Sequence, residues 1–306
     1  DADRAIELIR TATVNDPNTP LYYATLGSLL IARGDPADAL SALERATALN
    51  PDDTVSLRLQ AHLYGRFGRA GDAITAFQQL VTIPSPDVAD LLALGATLQA
   101  ARGADAAVAV LERATKLTPD NVLAQNHLAS CQQMRGHVGD AITAYQASLA
   151  LRANNNPATV GLFAAMQTVC DWRDLTELKN KLDAMTGKSI KANAKPNEDP
   201  FLNVTHCVDP RRNYEVARLW SADLSSRVTA WNGAFEHPPR DRDRIRIGYL
   251  SSDFHNHATS HLMLGLFGAH DRTRFSIHAY SCSPDDGSDY RKRIALDCDA
   301  FVDFAT

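Results

Sequence analysis

No stretch of the 306-residue sequence reaches the roughly 18–20 consecutive apolar residues that a membrane-spanning helix needs, so no membrane partner is expected. Long basic runs are also missing, and the formal net charge is −5. A nucleic-acid partner, whose affinity rests on neutralised phosphates, is therefore not expected either. Cysteine is scarce: five residues, at 131, 170, 207, 282 and 298, odd in number and without a CxxC pair. That pattern argues against a disulfide framework and for reduced thiols in the cytoplasm. The opening residues, "DADRAIEL", lack a signal-peptide pattern and read as starting inside a helix, as at a processing boundary. What is present is enough chain for two domains, with 45% hydrophobic residues to bury.

The first half repeats itself. "LGSLLIARGDPADALSALERATALNP" (26–51) returns as "LGATLQAARGADAAVAVLERATKLTP" (94–119), an offset of twice 34. At the intermediate steps Ala39 maps to Ala73, Ala107 and Ala141, and Leu43 maps to Phe77, Leu111 and Tyr145. Gly34 maps to Gly68 and Gly136; in the third unit the glycine slips to Gly103, which predicts a one-residue loop change there. Backwards, Pro51 maps to Pro17, so a half-unit at 1–17 precedes four units. A 34-residue period with Leu-Gly in one helix, Ala in the next and a closing Pro resembles the tetratricopeptide repeat. Small residues such as Gly27, Gly95 and Ala129 would let two helices cross closely, while the Leu43 series fills the space between units. A helical hairpin cannot bury its own apolar face, so the units must stack into a superhelix with a concave groove. Such a groove suits an extended polypeptide; an inert spacer is the alternative.

After residue 154 the period decays. "MQTVCDWRDLTELKNKLDAM" (166–185) reads as helical, "TGKSIKANAKPNEDP" (186–200) as a loop, and "NYEVARLWSADLSSRVTAW" (213–231) as a helix again. "EHPPRDRDR" (236–244) is a break. The expected division is a repeat array at 1–154, a helical transition region at 155–243 and a third segment from 244 to 306.

That third segment changes pattern. "IRIGYL" (245–250), "FSIHAYSC" (275–282) and "AFVDF" (300–304) read as strands, with helices expected at about 258–268 and 287–296. Strand and helix alternating at this spacing imply parallel βαβ units, the start of a doubly wound sheet. In such sheets ligands collect beyond the carboxyl ends of the strands. "SSDFHNHATSH" (251–261) occupies that place after the first strand, and His257 falls just before the expected helix, with Thr259 and Ser260 available as caps. Three readings of its histidines stand: zinc ligation through His255, His257 and His261, solvated or capping loop residues, and acid–base or phosphate-handling chemistry at His257.

"RIGYLSSDFHNHATSHLM" (246–263), "YSCSPDDGSDYR" (280–291) and "VCDWRDL" (169–175) together resemble the protein O-linked N-acetylglucosamine transferases, in particular their shorter bacterial homologues. The resemblance spans nearly the whole chain and is strongest at 166–185 and 244–296. It implies an α-superhelix of tetratricopeptide repeats followed by an α/β segment, the incomplete Rossmann-like N-terminal half of a GT-B glycosyltransferase. It also implies an inverting transfer of N-acetylglucosamine from UDP-N-acetylglucosamine to Ser or Thr hydroxyls of a protein or peptide, with neither cofactor nor essential metal. The family's active-site histidine falls on His257 of "NHATSH", as base or as acceptor-orienting group, and Asn256 and Thr259 follow as substrate-binding candidates. The alternative function is a repeat-based adaptor with a non-catalytic α/β segment.

Two departures from the family pattern qualify these expectations. Its nucleotide contacts belong mainly to the second Rossmann half, so UDP-binding residues have no counterpart here, and the chain alone is expected to be inactive without the remainder of the catalytic domain. Its relatives also line the superhelix with an asparagine ladder, whereas the matching positions here are Thr25, Leu59, Ala93 and His127, with Asn126 one place away.

Overall fold

The computed structural model describes residues 2–82, 86–101, 103–229 and 244–304. The chain divides into two compact units, Asp1–Trp231 and Asn232–Thr306. The first is helical. After α1 (Ala2–Asn15) come helix pairs α2 (Pro20–Arg33) and α3 (Pro36–Leu49), α4 (Thr54–Arg66) and α5 (Ala70–Val81), α6 (Val88–Ala100) and α7 (Ala104–Leu117), and α8 (Val122–Met134) and α9 (Val138–Leu151). A further first helix, α10 (Asn156–Thr168), follows. First helices begin at 20, 54, 88, 122 and 156, and second helices at 36, 70, 104 and 138, so the 34-residue period is kept throughout.

Local chemistry sets these ends. Asp53, Asp87 and Asn121, also 34 apart, accept hydrogen bonds from the first free N–H groups of α4, α6 and α8. Gly34, Gly68 and Gly136 take φ of 94°, 72° and 80°, the left-handed conformation in which L side chains clash. Gly103 does not: it precedes α7 at φ −85°. The one-residue loop change expected there is absent, because α7 starts in phase; only the glycine has moved. Replacing Gly34 with valine meets no neighbour within 4 Å, so its cost is purely conformational. It should lower stability by about 1–2 kcal/mol, read by chemical denaturation.

Packing follows the small–large pairing. A Cβ on Gly27 would lie 2.6 Å from Leu43, and one on Gly95 would lie 2.6 Å from Leu111, so glycine is what allows the helix crossing. Gly161 on α10 faces the Tyr145 ring in the same way, at 2.2 Å. Leu43, Phe77, Leu111 and Tyr145 are all buried; Leu43 and Leu111 pack against the first helix of their own pair, and Tyr145 packs against α10 of the next unit, the between-unit place expected of the whole series. The apolar core runs as three successive clusters, as expected of a solenoid in which each unit touches only its neighbours.

Beyond α10 two expectations change. The helix expected over 166–185 is interrupted: Cys170 and Asp174 take positive φ, and α11 starts at Leu175. The loop expected from 186 starts later, because α11 runs to Lys191. Leu178, Leu182 and Thr186, four residues apart, form one buried stripe that keeps a polar stretch helical. Thr186 closes this stripe on the fully buried Glu198, which also accepts from Asn203 at 3.0 Å and meets His206 at 2.8 Å. Two more helices follow, α12 (Pro200–His206) and α13 (Pro210–Thr229). Of the break expected over 236–244, residues 236–243 lie outside the described residues.

The second unit holds β1 (Ile245–Ser251), α14 (Ala258–Met263), β2 (Phe275–Ser281), α15 (Asp289–Leu296) and β3 (Ala300–Asp303). The three strands are parallel in the order β1-β2-β3, with Ile245 opposite Phe275 and Ser251 opposite Ser281. Helix α14 is shorter than the expected 258–268: turns replace it after Met263, through a segment containing Gly265 and Gly268. Phe254, Phe267, Ile277, Ala279 and Ile294 form the buried core.

Candidate functional site

At the carboxyl edge of the sheet the loops after β1 and β2 meet the end of β3 around Phe254. This side chain is 2% exposed and meets Phe267 edge-on at 5.7 Å, which anchors the middle of "SSDFHNHATSH" to the core. On either side of the anchor the polar residues turn outward.

Asp253 organises the near side. Its carboxylate accepts hydrogen bonds from the Ser252 and Thr259 hydroxyls, each at 3.1 Å, and its main-chain oxygen accepts from Ser260. The Ser252 hydroxyl, then Thr259 and the neighbouring imidazoles of His257 and His255, hold the Asp253 carboxyl below its ordinary value. Thr259 and Ser260 therefore do not cap α14, contrary to expectation. The cap is His257: its Nδ1 accepts the Thr259 backbone N–H at 3.2 Å, from an extended conformation at φ −141°.

That bond fixes the chemistry of the imidazole. A backbone N–H only donates, so Nδ1 meets it with its lone pair. The neutral ring then carries its proton on Nε2 and presents a donor there. Nδ1 also lies 3.7 Å from Asp253 Oδ2, within reach of a charge interaction when the ring is protonated. The His257 side chain is 45% exposed, open to a ligand.

The far side is held by the loop after β2. The Asn256 backbone N–H donates to Asp286 at 2.7 Å, and the Asn256 side-chain oxygen pairs with His261 Nε2 at 2.9 Å. His261 stacks on Tyr290 at 4.0 Å, a structural position. The Asn256 and Ser288 donors pull the Asp286 carboxyl down to about 2. His257 and the exposed Asn256 thus face outward together, while the Thr259 hydroxyl spends its proton on Asp253. The rings of His255 and His257 lie 5.4 Å apart, and among the described residues no group of three His, Cys, Asp or Glu side chains is placed to hold a metal.

The run "YSCSPDDGSDYR" carries no role that a local sequence pattern reveals. Asp286 and Arg291 of that run bond to the loop carrying His257, and Tyr290 stacks on His261 in the helix that follows it. The other quoted motif, "VCDWRDL", belongs to the first unit. There Arg173 pairs with Asp171 at 2.7 Å and brings its carboxyl down to about 2, while Trp172 borders a cavity of about 310 Å³. All five cysteines are free, and no described helix is long and apolar enough to cross a membrane. At the ladder positions, His127 pairs with Gln99 at 3.1 Å and its pKa is lowered by burial, while Asn126 Oδ1 is buried without a hydrogen-bond partner. Among the described residues, the ladder positions Thr25, Leu59, Ala93 and His127 carry no asparagine.

Comparison with known proteins matches both parts of this architecture. The tetratricopeptide repeat model matches residues 1–54, 24–89 and 92–156, about half the chain. The Glycosyl transferase family 41 model matches residues 169–306, beginning at the "VCDWRDL" loop. A probable UDP-N-acetylglucosamine–peptide N-acetylglucosaminyltransferase of Arabidopsis thaliana is 32% identical over 150 residues, 46% of this chain and 15% of the plant protein. The UDP-N-acetylglucosamine–peptide N-acetylglucosaminyltransferase of Caenorhabditis elegans is 29% identical over 146 residues, 45% of this chain and 13% of the nematode protein. The chain thus spans a small part of the length of these relatives. Among solved structures, MamA aligns with a TM-score of 0.52 at 20% identity, over 57% of this chain and 96% of its own, a likeness of fold alone. The chain belongs to the tetratricopeptide repeat proteins through its first half and is matched by the Glycosyl transferase family 41 model over residues 169–306.

Proposed function

We propose that this chain supplies the repeat region and the first part of the catalytic region of an inverting glycosyltransferase. The enzyme moves N-acetylglucosamine from UDP-N-acetylglucosamine to Ser or Thr hydroxyls of a protein or peptide, in the cytoplasm, with no cofactor and no essential metal. The observation that carries this reading is the tandem on one polypeptide: a repeat array followed directly by a family 41 match. The three-stranded parallel sheet serves as part of the first Rossmann-like half of a GT-B pair. The remainder of the catalytic domain supplies the UDP contacts.

Inversion requires one displacement. The acceptor oxygen forms a bond to the anomeric carbon as the bond from that carbon to the diphosphate oxygen breaks, and UDP departs with the electron pair. The hydroxyl proton passes to the departing diphosphate or to water in the same event. Positioning and charge stabilisation supply the catalysis. With Nδ1 occupied by the Thr259 N–H, His257 acts as a donor through Nε2 and orients the acceptor hydroxyl. A base role would need that cap to be given up. Asn256 stands beside it as a binding group.

The test is to incubate the full-length product of the gene with UDP-N-acetylglucosamine and Ser/Thr-containing peptides, following UDP release and sugar on the peptide. Acceptor-dependent release with the sugar on a hydroxyl side chain is expected. Neither UDP release nor sugar attachment would leave the adaptor reading instead.

A further inference from the structure

Arg291, on α15, is 5% exposed, and a guanidinium buried to that degree needs partners for all its N–H groups. Its polar partners come from the loops after β1 and β2 and from the strand ends of β2 and β3. Nη1 donates to the Phe254 main-chain oxygen at 3.0 Å and to Ser281 Oγ at 3.0 Å, with Ser283 Oγ at 3.3 Å. Nη2 pairs with Asp303 at the end of β3. Nε faces Asp285 at 3.3 Å, and the Phe301 ring lies under the guanidinium at 5.0 Å. One side chain therefore ties the β1 exit, the β2 exit and the β3 exit together.

Phe254 is three residues before His257. Its carbonyl fixes the point from which the loop turns outward, and the Asp286–Asn256 bond fixes the other side. We propose that Arg291 is the positioning residue of this site: it acts through the Phe254 carbonyl to hold His257 and Asn256 at the strand ends. The catalytic side of this proposal rests on the transferase reading; its structural side does not. Lysine cannot take over, because its ammonium donates from one point and cannot span Phe254, Ser281, Asp303 and Asp285 at once. The part played by Arg291 is geometric, not merely a matter of charge.

The experiment compares wild type, Arg291→Lys and Ser281→Ala in two measurements. The first is amide hydrogen exchange. Arg291→Lys should speed exchange at Asn256 and Thr259 by about tenfold or more, while amides of the β1–β2 ladder change by less than about twofold. Ser281→Ala, which keeps the guanidinium and deletes one acceptor, should act at the same amides more weakly. The second measurement is transfer kinetics in the full-length product: kcat should fall about tenfold or more in Arg291→Lys, with the KM for the donor within about twofold. Unchanged exchange at Asn256 and Thr259 in a folded Arg291→Lys overturns the proposal, as does unchanged kcat in an active enzyme. If Arg291→Lys does not fold, Ser281→Ala decides: faster exchange at those two amides supports the proposal and unchanged exchange overturns it. A wild type that transfers nothing overturns the transferase reading and leaves exchange to judge Arg291.

Discussion

Replacing His257 with alanine in the full-length product is expected to lower the rate of sugar transfer by roughly 100-fold while leaving UDP affinity within about twofold. The expectation follows from where the ring stands: half exposed, at the carboxyl end of β1, with one nitrogen committed to Thr259 and the other presenting N–H. Alanine removes both the outward donor and the cap of α14. Glutamine separates the two roles, because its amide oxygen can accept the Thr259 N–H while its amide nitrogen donates outward. His257→Gln should therefore retain at least about a tenth of wild-type transfer if His257 orients the acceptor by donating. A general base would not be rescued, since an amide takes up no proton near neutral pH. Transfer in His257→Ala within about threefold of wild type would remove His257 from the mechanism.

The largest structural effect is expected in the solenoid. Phe77 is 2% exposed, meets His62 edge-on at 5.2 Å, and fills the seam of the second pair between Ala61 and the neighbouring helices. Phe77→Ala should destabilise the array by about 3–5 kcal/mol, the lost transfer energy plus a cavity that rigid helix pairs cannot close. Because each pair leans only on its neighbours, the loss should appear first as accelerated amide exchange in α4 through α7, with slower change in α9 and α10. Hydrogen exchange resolved by peptide checks this. Uniform change along the whole array would mean that the solenoid unfolds as one block.

The solenoid was legible in the sequence because its packing rule is local and periodic. A small residue at Gly27 or Gly95 and a large one at Leu43 or Leu111 must recur every 34 residues for consecutive pairs to stack. The place of His257 was legible for a related reason: a strand followed by a helix fixes where the strand's carboxyl end lies. Its role as cap was not, since serine and threonine nearby are the commoner cap residues and both are instead drawn to Asp253. Arg291 was hidden because its partners come from positions 254, 281, 285 and 303, which no short window contains. The break before α11 was hidden because its left-handed residues are Cys170 and Asp174, where glycine would have given the signal. The length of α11 was hidden because Thr186, a polar residue, completes the buried stripe through Glu198.

The anomeric configuration of the transferred sugar tests the central claim most directly. UDP-N-acetylglucosamine carries its sugar in the α configuration, and a single displacement by an acceptor hydroxyl inverts it. The full-length product, incubated with this donor and Ser/Thr peptides, should yield β-linked N-acetylglucosamine on a hydroxyl side chain, read by NMR of the glycopeptide. An α-linked product would contradict the single displacement, and no linked sugar at all would contradict the transferase.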